Sequence, residues 1–166
     1  MKIRLLNPDD AEDYLRIRLE ALQESPYAFA STYEEEKNKT AEKYKTRFAA
    51  PEKTFTFGVF EESQLAGVVS LASESLLKLS HRTNIFAMYI KPGKRGLGLG
   101  KALLSAAIEK AKSIEGIEQI CISVVTTNIP AKKLYISFGF EGIGIEKKAL
   151  KFNDTYYDEE HMVLYL

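Results

Sequence analysis

Apolar residues change spacing several times along this chain, and each change marks a boundary between strand and helix. Residues 2–7 read as a first strand closed by Asn7-Pro8. Asp9 and Asp10 then favour a helix start, and Leu15, Leu19 and Leu22 recur at helical spacing to about Glu24, where Ser25-Pro26 ends the run. A second helical region, roughly 33–49, is highly charged, with Tyr44 and Phe48 four apart as its anchor. Strand-like runs at 54–61 and 65–73 flank Glu62-Ser63-Gln64 and predict a hairpin, with Gly67 as a candidate bulge. A strand over 84–90 leads through Pro92-Gly93 into a glycine-rich turn. Beyond it, a helix from about Gly98 to Ile114 carries Leu103, Ala107 and Ala111 on one stripe. A strand at 119–125 follows, and Ala131, Leu134, Tyr135 and Phe138 predict a short helix by their i, i+3, i+4, i+7 spacing. Segments 139–146 and 156–166 supply two closing strands.

No repeat, low-complexity tract or linker interrupts this order, so it predicts an α+β fold with a mixed sheet, one domain over 1–166. The length is sufficient for a sizeable core. Composition adds little beyond confirming an ordinary globular chain, 45% hydrophobic and 28% charged. Twenty-three basic residues balance twenty-three acidic ones, which removes a whole-protein electrostatic case for nucleic acid or membrane. No apolar stretch approaches the ~18 residues of a membrane helix, and the first residues carry no signal-peptide pattern, so the expected location is cytoplasmic. Cys121, in Ile120-Cys121-Ile122, reads as a buried strand residue and not a nucleophile. His81 and His161 fit no metal-ligand spacing and read as surface or packing residues; no metal is expected.

Candidate chemistry concentrates in Arg95-Gly96-Leu97-Gly98-Leu99-Gly100-Lys101, between a strand and a helix. Glycines let successive backbone N–H groups turn toward a ligand, and a helix start adds unpaired amides and a positive dipole end. Lys91, Lys94, Arg95 and Lys101 contribute positive charge with no acid between 91 and 101, as a pyrophosphate site would want. A P-loop is excluded. Gly93 to Gly98 has its spacing but continues with Leu99-Gly100, and Gly96 to Gly100-Lys101 is one residue short and continues with Ala102. A Rossmann fingerprint read from Gly98 and Gly100 would need glycine or alanine where Leu103 stands, and Glu118 precedes a strand instead of ending one.

The segment does resemble the Arg/Gln-x-x-Gly-x-Gly/Ala acetyl-CoA signature of the GNAT N-acetyltransferase superfamily, as Arg95-x-x-Gly98-x-Gly100. Asn128, Ala131, Leu134-Tyr135 and Gly139-Phe140 resemble its downstream Asn-x-x-Ala-x-x-Leu-Tyr-x-x-x-Gly-Phe element, and the order of elements is similar over the whole chain. The resemblance implies a mostly antiparallel seven-stranded sheet flanked by helices and splayed between strands 4 and 5. It implies acetyl-CoA as acetyl donor and a primary amine as acceptor. Met88, Tyr89 and Ile90 would pair with the pantetheine arm, and the Met88 N–H would bond the thioester carbonyl, an oxyanion-type contact. The amides of Arg95, Gly96, Leu97, Gly98, Leu99, Gly100 and Lys101 would cradle the phosphates. Asn128 would contact CoA beyond the splay. Tyr135 would protonate the departing thiolate, a role suited to a phenol with an ordinary pKa near 10.

The general base does not carry over. Asn84 stands where some relatives have glutamate, which leaves a base reached through water from Glu74, His81, Glu34 or Asp158. Acids outnumber bases between residues 9 and 36 and recur at Asp158, Glu159 and Glu160, favouring a small cationic acceptor such as a polyamine or an amino sugar. Two alternatives stay open, a non-catalytic acyl-CoA-sensing domain and a protein N-terminal or lysine acetyltransferase. Against the ribosomal-protein N-terminal enzymes, Ser123-Val124-Val125-Thr126 replaces their Leu-Glu-Val-Arg strand. Monomer and homodimer are both compatible with the chain.

Overall fold

The computed structural model describes residues 1–166. Seven strands form one sheet in the order β1-β2-β3-β4-β5-β7-β6: β1 (Lys2–Leu5), β2 (Thr54–Glu61), β3 (Gln64–Ser73), β4 (Arg82–Ile90), β5 (Gln119–Val125), β6 (Glu141–Phe152) and β7 (Thr155–Tyr165). Every pairing is antiparallel except β4 with β5, so the expected mixed, mostly antiparallel sheet is present. The helices are α1 (Ala11–Glu24), α2 (Tyr33–Glu36), α3 (Glu42–Ala49), α4 (Leu99–Lys112) and α5 (Ile129–Ser137). No helix is long and apolar enough to cross a membrane.

Period-two alternation along the strands sends side chains to two cores. On one face α4 lays Leu103, Leu104, Ala107, Ile108 and Ala111 against Val59, Val69, Leu71, Ile85 and Ile120, with Tyr135 of α5 and Phe140 closing the cluster. On the other, α1 and α3 pack Tyr14, Ile17, Tyr44 and Phe48 against Phe60, Leu65, Val68 and Tyr89. The buried stripe of α1 is therefore Ala11, Tyr14, Ile17 and Ala21 with Leu22, whereas Leu15 and Leu19 are only partly covered.

The region 33–49 is two helices, not one. Thr32 and Glu35 form a reciprocal cap for α2. Lys37 to Thr40 then present nothing to the core, and the chain resumes as a helix only past the buried Ala41. The hairpin after β2 turns on Glu62 and Ser63, both at positive φ (48° and 67°), and Gln64 is the first residue of β3. The bulge expected at Gly67 is present: Val59 pairs with Gly67 and Phe60 with Leu65, leaving Ala66 as the extra residue. A Cβ on Gly67 would lie 2.9 Å from the Tyr89 carbonyl oxygen, so glycine also permits the close approach of β4. β6 runs six residues past its expected end, to a second tight turn at Asn153 and Asp154, again with positive φ.

Candidate active site

The β4–β5 ladder pairs only Arg82–Ile85 with Gln119–Ile122. Past that point the strands part, as the sequence resemblance implied. Just there β4 is bulged: Val68 pairs with Tyr89 and Ser70 with Phe86, leaving Ala87 and Met88 opposite Val69 alone. Ala87 sits at φ 51°, a left-handed conformation that costs an alanine about 1–2 kcal/mol. The bulge falls where the cleft opens, and Met88 lines that cleft.

The glycine turn occupies one end of this cleft. Gly96 and Gly98 have φ of 75° and 81°, and Gly98 is the N-cap of α4 with no side-chain cap. The N–H groups of six consecutive residues, Gly96 to Lys101, donate to no protein acceptor; the first α4 bond of the turn is Ala102 N–H to the Gly98 carbonyl. Six free amides at a helix start form an anion cradle. Of the four side-chain charges around it, Lys101 has no partner and the other three are committed elsewhere. Lys91 pairs with Glu20 at 3.8 Å and Lys94 with Glu61 at 2.8 Å. The Arg95 guanidinium grips Glu24 at 2.7 and 3.2 Å, its Nε donates to the Ile90 carbonyl at 2.9 Å, and it lies over the Tyr89 ring. Arg95 thus fastens the turn to α1 and to the end of β4.

A cavity of about 640 Å³ runs from this turn along β4, walled by Ile90, Gly100, Leu134 and Tyr135 and by Ala28 and Phe29 of the loop after α1. Of the residues expected to hold a cofactor, Met88, Tyr89, Ile90, Arg95, Gly96, Gly98, Leu99, Gly100, Asn128 and Tyr135 line it. Leu97 and Lys101 do not: the Leu97 side chain is 61% exposed, and Lys101 is exposed on the outer side of α4, so both can offer only their amides. Tyr89 and Leu99 are themselves core residues. Asn128 caps α5 by accepting from the Ala131 N–H at 3.3 Å. Tyr27 stacks on Tyr157 at 5.7 Å, holding the loop after α1 over the cleft.

Tyr135 is 5% exposed, and its hydroxyl meets one protein atom, Met88 Sδ at 3.7 Å. Burial pushes its phenol up to about 12, so it keeps its proton at neutral pH. Tyr135, Met88, Asn128, Ala28 and Phe29 also belong to a second cavity of about 600 Å³ beyond the split, on the α1 face of the sheet. The two chambers share these five residues, so Tyr135 stands at their junction.

The second chamber sets several polar groups into a mostly apolar lining. Asn84, Cys121, Ser123, Glu159 and His161 line it, with Arg18 and Arg82 at its sides. Cys121 is only partly buried and faces this space, so it is not the core residue its neighbours suggested. Both arginines are paired, Arg18 with Glu36 at 3.5 Å and Arg82 with Glu74 at 3.9 Å. Glu159 has no such partner, and burial raises its pKa. Ser123 Oγ lies 2.8 Å from His161 Nδ1, and His161 Nε2 lies 3.0 Å from Glu146 Oε2.

Four base candidates from the sequence fare unequally. Glu74 reaches the chamber only by accepting from Asn84 Nδ2 at 2.8 Å. Asp158 is held by Lys147 and the Lys148 N–H, which keep its carboxyl below the usual range. Glu34 pairs with Lys37 on the surface, and His81 lines neither chamber. Three acids in and next to α1 are likewise engaged, Asp10 with Arg4, Glu20 with Lys91 and Tyr89, Glu24 with Arg95. Glu159 and His161 escaped sequence reading as a pair, although Glu159-x-His161 and Cys121-x-Ser123 each put polar side chains at period two on an inner strand.

Comparison with known proteins agrees with this fold. The GNAT family 22%-identical acetyltransferase of Streptococcus pneumoniae superposes with a TM-score of 0.87, covering 99% of each chain. An N-acetyltransferase from Staphylococcus aureus is 20% identical, with a TM-score of 0.81 over 99% of this chain and 97% of that one. The yncA protein of Salmonella typhimurium, solved with its cofactor acetyl-CoA, is 19% identical, with a TM-score of 0.87 over 99% and 93%. These likenesses establish the fold. No curated protein matches. Residues 3–161 match the acetyltransferase (GNAT) domain family. With nearly the whole chain inside that match, the protein belongs to the GNAT acetyltransferase family.

Proposed function

We propose that this protein transfers the acetyl group of acetyl-CoA to a primary amine of a small cationic acceptor. The observation that carries the reading is the run of six unpartnered amides, Gly96 to Lys101, at one end of a cleft whose other end opens on Tyr135. An elongated donor with a phosphate head and an apolar arm fits such a site: amides for the phosphates, and Ile90, Ala131 and Leu134 along the arm. When bound, acetyl-CoA supplies an activated acetyl thioester.

The chain's own residues supply the rest. Met88, within the bulge, lines the cleft, and its N–H is the donor that stabilises negative charge on a carbonyl oxygen. Tyr135 Oη holds a proton at the junction of the chambers and gives it to a departing sulfur anion. The burial that raises the phenol also makes a thiolate formed beside it more basic, which keeps that transfer from being steeply uphill. Glu159, the unpaired carboxylate of the second chamber, favours a cationic amine over an acidic one.

The test is a panel of cationic, neutral and acidic amines with acetyl-CoA at two ionic strengths, following free CoA. Cationic acceptors should be preferred, with apparent KM rising with salt and kcat changing much less. Preference for neutral or anionic amines with no salt effect would remove the cationic acceptor and leave acetyl transfer standing. A protein that binds acetyl-CoA but releases CoA with no amine would favour a sensor.

A further inference from the structure

Three adjacent strands carry a chain of polar atoms across the floor of the second chamber. Ser123 on β5 stands opposite His161 on β7 in the ladder, and Glu146 comes from β6 on the far side. With the ring neutral and Glu146 ionised, the contacts, 2.8 Å from Ser123 Oγ to Nδ1 and 3.0 Å from Nε2 to Glu146, set the direction of each proton. A carboxylate only accepts, so Nε2 carries the ring proton and donates it to Glu146. Nδ1 of the neutral ring is then an acceptor, and the Ser123 O–H points at it. That leaves the Ser123 oxygen lone pairs facing the chamber, as acceptors for an N–H group brought there.

We propose, resting on the acetyltransfer reading, that Ser123, His161 and Glu146 form the relay that takes the proton of the acceptor amine. An ammonium N–H donates to Ser123 Oγ; as that proton moves to the oxygen, the Ser123 proton passes to His161 Nδ1. The products are a neutral amine, whose lone pair is free to attack, and an imidazolium. The charge count is unchanged, one positive charge moving from substrate nitrogen to ring. Glu146 accepts from the imidazolium, and its side chain is 58% exposed, so the proton continues to solvent. The groups facing the ring favour this transfer. Glu146 from β6 and Glu159 from β7 bring two carboxyl groups, the second with its pKa raised by burial, while Arg82 from β4 and Arg18 from α1 are each paired with a glutamate. The relay occupies the place left empty by Asn84, which accepts no proton and is tied to Glu74.

Two measurements test this. Ring ¹⁵N shifts of His161 in the wild-type protein without substrate should show Nε2 protonated, and Glu146→Gln should disturb that tautomer. A ring protonated at Nδ1 overturns the relay whatever the activity. Second, kcat/KM for the amine the wild type uses best is measured from pH 6 to 9.5 in wild type, His161→Gln and Ser123→Ala. At pH 7 the His161→Gln protein should lose about 10²-fold, the lower end of the range for a positioned base. The deficit should shrink as pH rises and free amine accumulates, while acetyl-CoA binding stays unchanged. A purely structural role would lower the profile equally at every pH. Parallel profiles in an active enzyme overturn the relay alone, and so does an acetyl group found covalently on Ser123. Wild-type protein that releases no CoA with any amine overturns the acetyltransfer reading, and the relay's role with it.

Discussion

Replacing Gly100 with alanine should stabilise the free protein and weaken its hold on acetyl-CoA. Gly100 is the second residue of α4, and its backbone is ordinary right-handed helix. A methyl there removes part of glycine's helix penalty, about 0.5–1 kcal/mol in a first turn. At 2–4 °C per kcal/mol for a domain of this size, the melting temperature should rise by roughly 1–4 °C. The new Cβ would stand 3.5 Å from Leu134 Cδ2 and Met88 Cε, and 3.8 Å from Ile90 Cγ1, ordinary contacts that displace nothing. All three neighbours, however, line the cleft, so the methyl narrows it beside the free amides. Wild-type protein with acetyl-CoA near 100 times its Kd should gain about 2.7 kcal/mol, a shift of roughly 5–10 °C. A tenfold weaker affinity at the same concentration leaves about 1.4 kcal/mol, half the shift. Thermal melts with and without ligand read both effects. Gly98→Ala is the counterpart. Its Cβ meets open space, but φ 81° costs an alanine about 1–2 kcal/mol, partly offset by about 0.4–1 kcal/mol from a stiffer unfolded chain, so the free protein should melt lower. An undiminished acetyl-CoA shift in a stabilised Gly100→Ala protein would show that the ligand does not pass between α4 and Met88.

Tyr135→Phe keeps the ring against Phe140 and removes one hydroxyl; kcat should fall by about 10²–10⁴ with acetyl-CoA affinity nearly constant, and full turnover would reduce the residue to a core aromatic. Because burial holds that phenol at about 12 when folded, against about 10 unfolded, Tyr135 stabilises the fold below pH 10 and loses that contribution as pH climbs toward 12. Tyr135→Phe should therefore flatten the alkaline fall in melting temperature, and an identical fall would contradict the assignment. Asp10 accepts from both Arg4 Nη atoms at 2.6 and 2.8 Å and from the Asn7 N–H at 2.8 Å, which lowers its pKa. Asp10→Asn should cost about 2 kcal/mol above pH 4, with the difference closing as acid protonates the wild-type carboxyl. A penalty that persists undiminished in acid would show that packing, and not charge, holds that corner.

Local features were legible in the chain and distant pairings were not. The strand at 119–125 is right to the residue because an apolar run carries its own boundaries. Counting leucines misplaced the buried face of α1, since a tyrosine, an isoleucine and two alanines meet the core there and only partial burial falls to Leu15 and Leu19. The end of β6 was invisible because Glu141 to Lys148 are exposed along an edge strand, where no face demands apolar residues. At the site, the anion cradle is contiguous in sequence and so could be read directly. Arg95, whose amide was expected in that cradle, is otherwise engaged: its N–H donates to the Pro92 carbonyl at 3.3 Å, and Glu24, 71 residues away, claims its guanidinium. Ser123 and His161, 38 residues apart, meet only through the β5–β7 register, which no local pattern encodes.

The free amides of the turn have one more consequence. An acyltransferase works beside a reactive thioester, and lysines near such a donor are exposed to stray acylation that erases their charge. A phosphate site built on lysine side chains would poison itself slowly as it worked. Here Lys94 is spent on Glu61 and Lys91 on Glu20, and the anion-facing donors are backbone N–H groups, which acylation of a lysine does not remove. Such a cradle should keep its grip as the protein ages in the presence of its own donor.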